Sequence, residues 1–319
     1  MQDFLPISKE DMERRGWEQL DFVFVSGDAY VDHPSFGPAI LCRLLEKHGY
    51  KVGIIPQPDW HSSRDFMSLG KPRLAFLVSA GNMDSLLNQF TAAKKRRSQD
   101  AYSPGGEAGH RPLRATVVYC QKLREAYPEV PIVIGGIEAS LRRFAHYDYW
   151  SNEVRPSMLA ESGADLLIYG MGEKALLSVA ADLQQGVEIG NIQDVPGTCF
   201  KVPSFDYIWD YLSLASLEEV AKDKQKFAEA ATKEGFYEFT FFLILSMLNV
   251  YVQTQVKCWT GRVDAIVYMP KAIYLFEFKT REPPEAALAQ IDDKHYADRF
   301  ATDPRKVVKV GVNFDLDTW

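Results

Sequence analysis

The 319 residues carry 36 Lys and Arg against 43 Asp and Glu, a net charge of −7, and 46% of them are hydrophobic. This composition excludes a disordered tail, a collagen-like fibre and a disulfide-stapled miniprotein, and the length suggests about two domains. The acidic balance disfavours a general electrostatic grip on nucleic acid and leaves room for a local one.

The chain opens on MQDFLPISKEDMERR, which lacks an apolar signal core; a cytoplasmic location is expected. Apolar β-rich runs follow at Leu20–Val25, Val52–Ile55, Leu74–Val78, Ile132–Ile134 and Leu166–Tyr169. Helical patterns lie between some of them, at Gly37–His48, Leu113–Tyr127 and Glu173–Gln185. Continuous apolar strands alternating with helices predict a parallel sheet covered on both faces. The expected fold class is therefore α/β, a doubly wound, Rossmann-like domain over residues 1–205.

In such a sheet the carboxyl ends of the strands form the ligand crevice. Gly27 and Asp28 follow the first strand, Gly81 the third, Gly135 and Gly136 the fourth, and Gly172 the fifth. These are the candidate cofactor-binding positions, although a tight turn explains each glycine equally well. None forms a GxGxxG fingerprint, so a dinucleotide has weak support. The basic run Lys94-Lys95-Arg96-Arg97 reads as a solvated loop or, with Gly105 and Gly106 behind it, as a phosphate loop. The four cysteines, Cys42, Cys120, Cys199 and Cys258, lie too far apart for any CxxC pair, which predicts buried free thiols.

Residues 206–233 form a charged, helix-favouring connector, and residues 234–319 change character again. A helix is expected over about Glu234–Asn249; its apolar stretch, Phe239–Val250, is too short and too interrupted to cross a membrane. Three β runs (Tyr251–Lys257, Arg262–Tyr268, Ala272–Lys279), a helix at Pro284–Asp298 and a strand at Lys306–Val312 complete an αβββαβ order. Residues 231–319 hold 11 basic against 12 acidic side chains, leaving 25 against 31 in residues 1–230. Neither part is a basic nucleic-acid module by composition.

The strongest chemical signal lies here. Glu277 and Lys279 in AIYLFEFK are two apart on a strand, so they share a face, with Phe276 and Phe278 on the other. A turn near Met269-Pro270-Lys271 sets Asp264 opposite Glu277 in antiparallel register. Two carboxylates that close are destabilising unless a cation compensates, and Mg2+ or Mn2+ with the Lys279 ammonium would do so. Glu234 and Glu238 share a helical face and either could add a third ligand; Gln290 could approach from the later helix. An ExK pair alone is common on surfaces and worth about 0–1 kcal/mol, so it is the combination that points to metal-assisted phosphodiester hydrolysis.

Residues Glu234 to Asp315, through EGFYEF, TGRVDAIVY, YLFEFK, EAALAQI and KVVKVGVNFD, resemble the PD-(D/E)XK nuclease superfamily, in particular the bacterial domain found behind AAA-ATPase-like proteins. The resemblance implies a small restriction-endonuclease-like fold and nucleic acid as partner. It implies metal-ligand and catalytic places for Glu234, Asp264, Glu277 and Lys279, and an accessory place for Gln290. Glu238 stands where a histidine is expected.

Residues 5–229 resemble the N-terminal region of YgiQ-type radical SAM proteins, through LPISKEDMERRGW, GDAYVDHPSFG, KKRRSQDAYSPGG, IGGIEASLRRFAHYDYW and YGMGE. That region resembles a cobalamin-binding-type Rossmann domain, but Asp32 and His33 are adjacent and do not form the DxHxxG pattern, which argues against cobalamin. The CxxxCxxC loop that holds a four-iron cluster is absent, so no iron–sulfur cluster, and no radical SAM chemistry by this polypeptide alone, is expected. Three readings stay open: a metal-dependent nuclease, a non-catalytic ligand-binding module, or an inactive fusion of two family fragments.

Overall fold

A computed structural model describes residues 4–91, 93–204, 213–233, 251–258, 261–279 and 283–313. The chain divides into two compact units, Met1–Tyr211 and Leu212–Trp319.

Among the described residues the first unit has eight strands: β1 (Phe22–Ser26), β2 (Val52–Pro56), β3 (Ala75–Ser79), β4 (Ile132–Gly135), β5 (His146–Asp148), β6 (Glu153–Arg155), β7 (Leu166–Ile168) and β8 (Thr198–Phe200). Its helices are α1 (Lys9–Arg14), α2 (Gly37–Lys47), α3 (Ser85–Gln89), α4 (Ala115–Ala126), α5 (Gly136–Leu141), α6 (Met158–Ser162) and α7 (Glu173–Gln184). Six strands form one sheet in the order β2-β1-β3-β4-β7-β8. All pairings are parallel except β7 with β8.

The alternation of side chains explains the double winding. Val23, Val25, Phe76, Val78, Ile132 and Ile134 face one side and pack with Tyr119, Cys120 and Leu123 of α4. Phe22, Phe24, Ala75, Leu77 and Val133 face the other and pack with Cys42 and Leu45 of α2 and Leu176 and Val179 of α7. A strand buried on both faces has no polar positions, so its sequence reads as an unbroken apolar run. Cys42 and Cys120 are buried free thiols, and burial pushes both above the ordinary thiol range, Cys120 to about 12. Neither is a nucleophile at neutral pH.

The short hairpin β5–β6 and the antiparallel edge strand β8 are additions to the expected elements. Three-residue strands carry too little alternation to be read from sequence. The hairpin holds His146, buried against Arg142, with its Nδ1 3.3 Å from the Phe144 carbonyl oxygen. Burial, reinforced by the Arg142 guanidinium, lowers the His146 pKa from 6.5 to about 4. The neutral imidazole therefore contributes stability that is complete above pH 6.5 and lost as pH falls through 4. That amounts to about 3 kcal/mol across the window. Urea midpoints measured between pH 6.5 and 4.5 are expected to fall less steeply in His146→Asn than in the parent chain.

The second unit begins with two helices, α8 (Leu217–Lys222) and α9 (Lys224–Lys233). Among the described residues four strands follow: β9 (Tyr251–Cys258), β10 (Gly261–Tyr268), β11 (Ala272–Lys279) and β12 (Lys306–Asn313), with α10 (Pro284–Asp293) between the last two. The sheet order is β12-β11-β10-β9, with β11 and β12 parallel and the other pairs antiparallel. Helix α10 packs across β11 and β12, as a crossover between parallel strands must.

One expected element is corrected. The helix read as Pro284–Asp298 ends at Asp293, and His295 takes a left-handed backbone (φ +53°) before a 3-10 turn at Tyr296–Phe300. The break turns Tyr296 and Phe300 into the core with Val263, Ile266, Ile273 and Ile291. Burial of two aromatic rings outweighs a helix continuation of one turn. The expected helix at 234–249, with Glu234 and Glu238, lies outside the described residues.

Candidate functional site

The second unit brings Glu277, Lys279 and Gln290 together at one end of its sheet, with Asp264 on the neighbouring strand. Strands β10 and β11 pair as Ala265 with Phe276, Ile266 with Leu275, Val267 with Tyr274 and Tyr268 with Ile273. Continued by one step, that register sets Asp264 opposite Glu277. On β11, Ile273, Leu275 and Glu277 are buried beneath α10, whereas Tyr274, Phe276 and Phe278 form the other face. The Phe276 and Phe278 rings stack there with centroids 6.4 Å apart.

Glu277 is only 3% exposed. A carboxylate that deep needs charged or hydrogen-bonding neighbours. The Gln290 side chain, from α10, supplies one by donating from Nε2 to Glu277 Oε1. Lys279 Nζ donates to Gln290 Oε1 at 2.6 Å and stands 3.9 Å from Glu277 Oε1. Gln290 thus ties the carboxylate to the ammonium. Asp264 Oδ2 accepts from the Phe278 backbone N–H at 2.8 Å, which fixes that carboxylate at the point where the β10–β11 ladder ends. A carboxylate has two oxygens and about four acceptor positions. Two carboxylates with water match the preference of Mg2+. Among the described residues, no group of three or more His, Cys, Asp or Glu side chains converges as a metal cage.

In the first unit the crevice lies where the strand order reverses around β1. A cavity of about 300 Å3 opens at the carboxyl ends of the strands, lined in part by Gly81, Gly135, Gly136 and Gly172. Gly27 and Asp28 do not line it. A Cβ on Gly27 would sit 2.1 Å from the Ala80 carbonyl oxygen, so glycine is required there for the β1 and β3 loops to touch. Gly136 has φ +79°, and its Cβ would meet Ser79 Oγ at 2.5 Å. Close packing of the chain on itself accounts for both.

Asp28 belongs instead to a buried network that sequence reading missed. Its Oδ1 is 2.6 Å from Nη2 of Arg111, a side chain with no exposure, and its Oδ2 accepts from Asn82 N–H at 2.7 Å. Asp100 lies 3.7 Å from the same guanidinium and accepts from Asn88 Nδ2, Tyr102 N–H and Ser103 Oγ. Burial raises the Asp28 pKa against the opposing pull of Arg111. Nearby, Glu138 accepts from the N–H groups of Ser85 and Thr116, and Asp84 pairs with Arg142. The network pins the loop that carries Lys94–Arg97 and Asp100 against the strand ends. Lys94 itself lies over the Tyr149 and Trp150 rings. No sequence signal marks Arg111; of its acidic partners only Asp28 stands out in the sequence, directly after a strand.

No helix among the described residues is long and apolar enough to cross a membrane. Residues 4–238 match the family described as Radical SAM N-terminal. Residues 232–319 match the PD-(D/E)XK nuclease superfamily. A UPF0313 protein of Clostridium perfringens (strain ATCC 13124) is 60% identical over 227 residues, 71% of this chain and 34% of that protein. A UPF0313 protein of Clostridium botulinum (strain ATCC 19397) is 56% identical over 236 residues, 74% of this chain and 36% of that one. The chain thus spans about a third of the length of these curated relatives. Among solved structures, the radical S-adenosylmethionine methyltransferase TsrM from Kitasatospora setae is 19% identical, over 57% of this chain and 28% of that one, with a TM-score of 0.38. By the match over residues 4–238 the chain belongs to the Radical SAM N-terminal family, and it carries a PD-(D/E)XK nuclease superfamily segment behind that region.

Proposed function

We propose that the second unit hydrolyses phosphodiester bonds in nucleic acid with a divalent cation. The observation that supports this reading is the register of β10 and β11, which, continued one step past Ala265 and Phe276, sets Asp264 opposite Glu277, with Lys279 tied to Glu277 through Gln290. Like charges so placed favour occupancy by a cation. Asp264 and Glu277 would hold it. When bound, Mg2+ or Mn2+ lowers the pKa of a coordinated water and stabilises charge on a phosphate.

The remaining work falls to this chain's own groups. Lys279 presents a compact positive charge beside the carboxylates, where it offsets negative charge that develops on phosphorus. Gln290 is a positioning residue: one carboxamide fixes both the ammonium and Glu277. The sheet core beneath keeps the carboxylate from water. The test is cleavage of end-labelled DNA and RNA by the full chain with Mg2+, with Mn2+ and with EDTA. Cleavage that requires the cation is expected; cleavage that is equal in EDTA, or none with either cation, overturns the proposal.

A further inference from the structure

The cavity of the first unit is used by nothing derived above. Its walls are apolar: Phe24, Leu77, Val133 and Ile168 from the sheet, Leu41 from α2 and Leu176 from α7. Ile40 and Ile137 also face it and remain half-buried, and Met171, 79% exposed, stands at its edge. Protein interiors hold few voids larger than a water molecule. A cleft of about 300 Å3 with apolar walls, at the carboxyl edge of a parallel sheet, is placed where open α/β folds bind ligands.

The few polar groups restrict the ligand. Glu173, in the first turn of α7, is the only ionisable side chain lining the cavity among the described residues. Among those residues no Lys or Arg lines it to meet a phosphate. A carboxylate there suits vicinal hydroxyls, which it accepts as a pair, as in the ribose recognition of dinucleotide folds. Asn82 adds a carboxamide, whose Nδ2 already donates to the Ser35 carbonyl, and Ser79 adds a hydroxyl. The volume lies at the small end of the roughly 300–1,000 Å3 range of small-molecule sites. It suits one flat ring system with a sugar.

We infer that this cavity is a binding site for an uncharged nucleoside, with the base between the sheet and the α2 and α7 side chains and the ribose hydroxyls on Glu173. The inference is independent of the nuclease reading, because it concerns the other unit and needs no metal. The test is titration of the full chain by calorimetry with adenosine, guanosine, cytidine and uridine, and with their 5′-monophosphates, in EDTA. Saturable binding of at least one nucleoside is expected, weakened tenfold or more by the 5′-phosphate. Glu173→Gln is expected to weaken it at least fivefold, and Ile137→Trp, at a half-exposed position, to abolish it with the melting temperature of the free chain retained. Leu176→Phe offers a second way to fill the cavity should that variant fold poorly. Absence of binding by all four nucleosides at millimolar concentration overturns the inference. So does equal or tighter binding of the monophosphates, or binding undiminished in the folded cavity-filling variants.

Discussion

Asp264→Asn and Lys279→Ala are each expected to lower divalent-dependent cleavage by about 10²–10³-fold, the usual cost of removing one preorganised electrostatic group from a reaction centre. The two losses should differ in kind. The carboxamide introduced by Asp264→Asn still offers an oxygen to the Phe278 N–H, so the end of the β10–β11 ladder is kept while one negative charge is lost. That variant should need more cation to reach its maximal rate. Lys279→Ala leaves both carboxylates and removes the ammonium, so its rate should stay low at saturating cation. Lys279→Arg should not restore it, since a planar fork does not replace a point charge held 2.6 Å from Gln290 Oε1. Cleavage titrated against Mg2+, beside circular dichroism of each variant, separates these outcomes. Undiminished cleavage in both folded variants would assign the activity to a contaminant.

The largest expected effect on stability lies in the first unit. Arg111 is fully buried and bonds Asp28, with Asp100 at 3.7 Å and the carbonyl oxygens of Ala80 and Met83 also in reach. Arg111→Met keeps most of the volume and strands the Asp28 charge, which costs about 3–5 kcal/mol. Urea unfolding at pH 7.5 measures this. Asp28 already has a raised pKa from burial, held down by Arg111 and by the Asn82 N–H; without the guanidinium the upward push is opposed by the Asn82 bond alone. The folded variant then takes up a proton more readily than the unfolded chain, so its deficit should shrink as pH falls toward 5. Adding Asp28→Asn should recover part of the loss, since the buried charge is gone. A loss below about 1 kcal/mol, or one insensitive to pH, would contradict the account.

Much of the fold was legible because the physics is local. Both-face burial made β1, β3 and β4 unbroken apolar runs, and the two-residue period of β11 separated Glu277 and Lys279 from Phe276 and Phe278. A short turn then left little freedom in the β10–β11 register, and the observed pairing of Tyr268 with Ile273 is the register that a turn near Met269-Pro270-Lys271 sets. Less was legible in the crevice. Glycines after strands announced a ligand edge, yet Gly27 answers to the Ala80 carbonyl and Asp28 to Arg111.

The amino-acid order by itself determined the two-part organisation, the strand faces and the charged residues they present, since each depends on neighbours within a few positions. The tertiary structure alone decided that Gln290 joins Lys279 to Glu277, that Arg111 reaches Asp28 across 83 positions, and that apolar walls from α2, α7 and the sheet leave a cavity between them. Those are encounters between distant segments, and no short-range periodicity encodes which side chains a packed core will bring within hydrogen-bond reach.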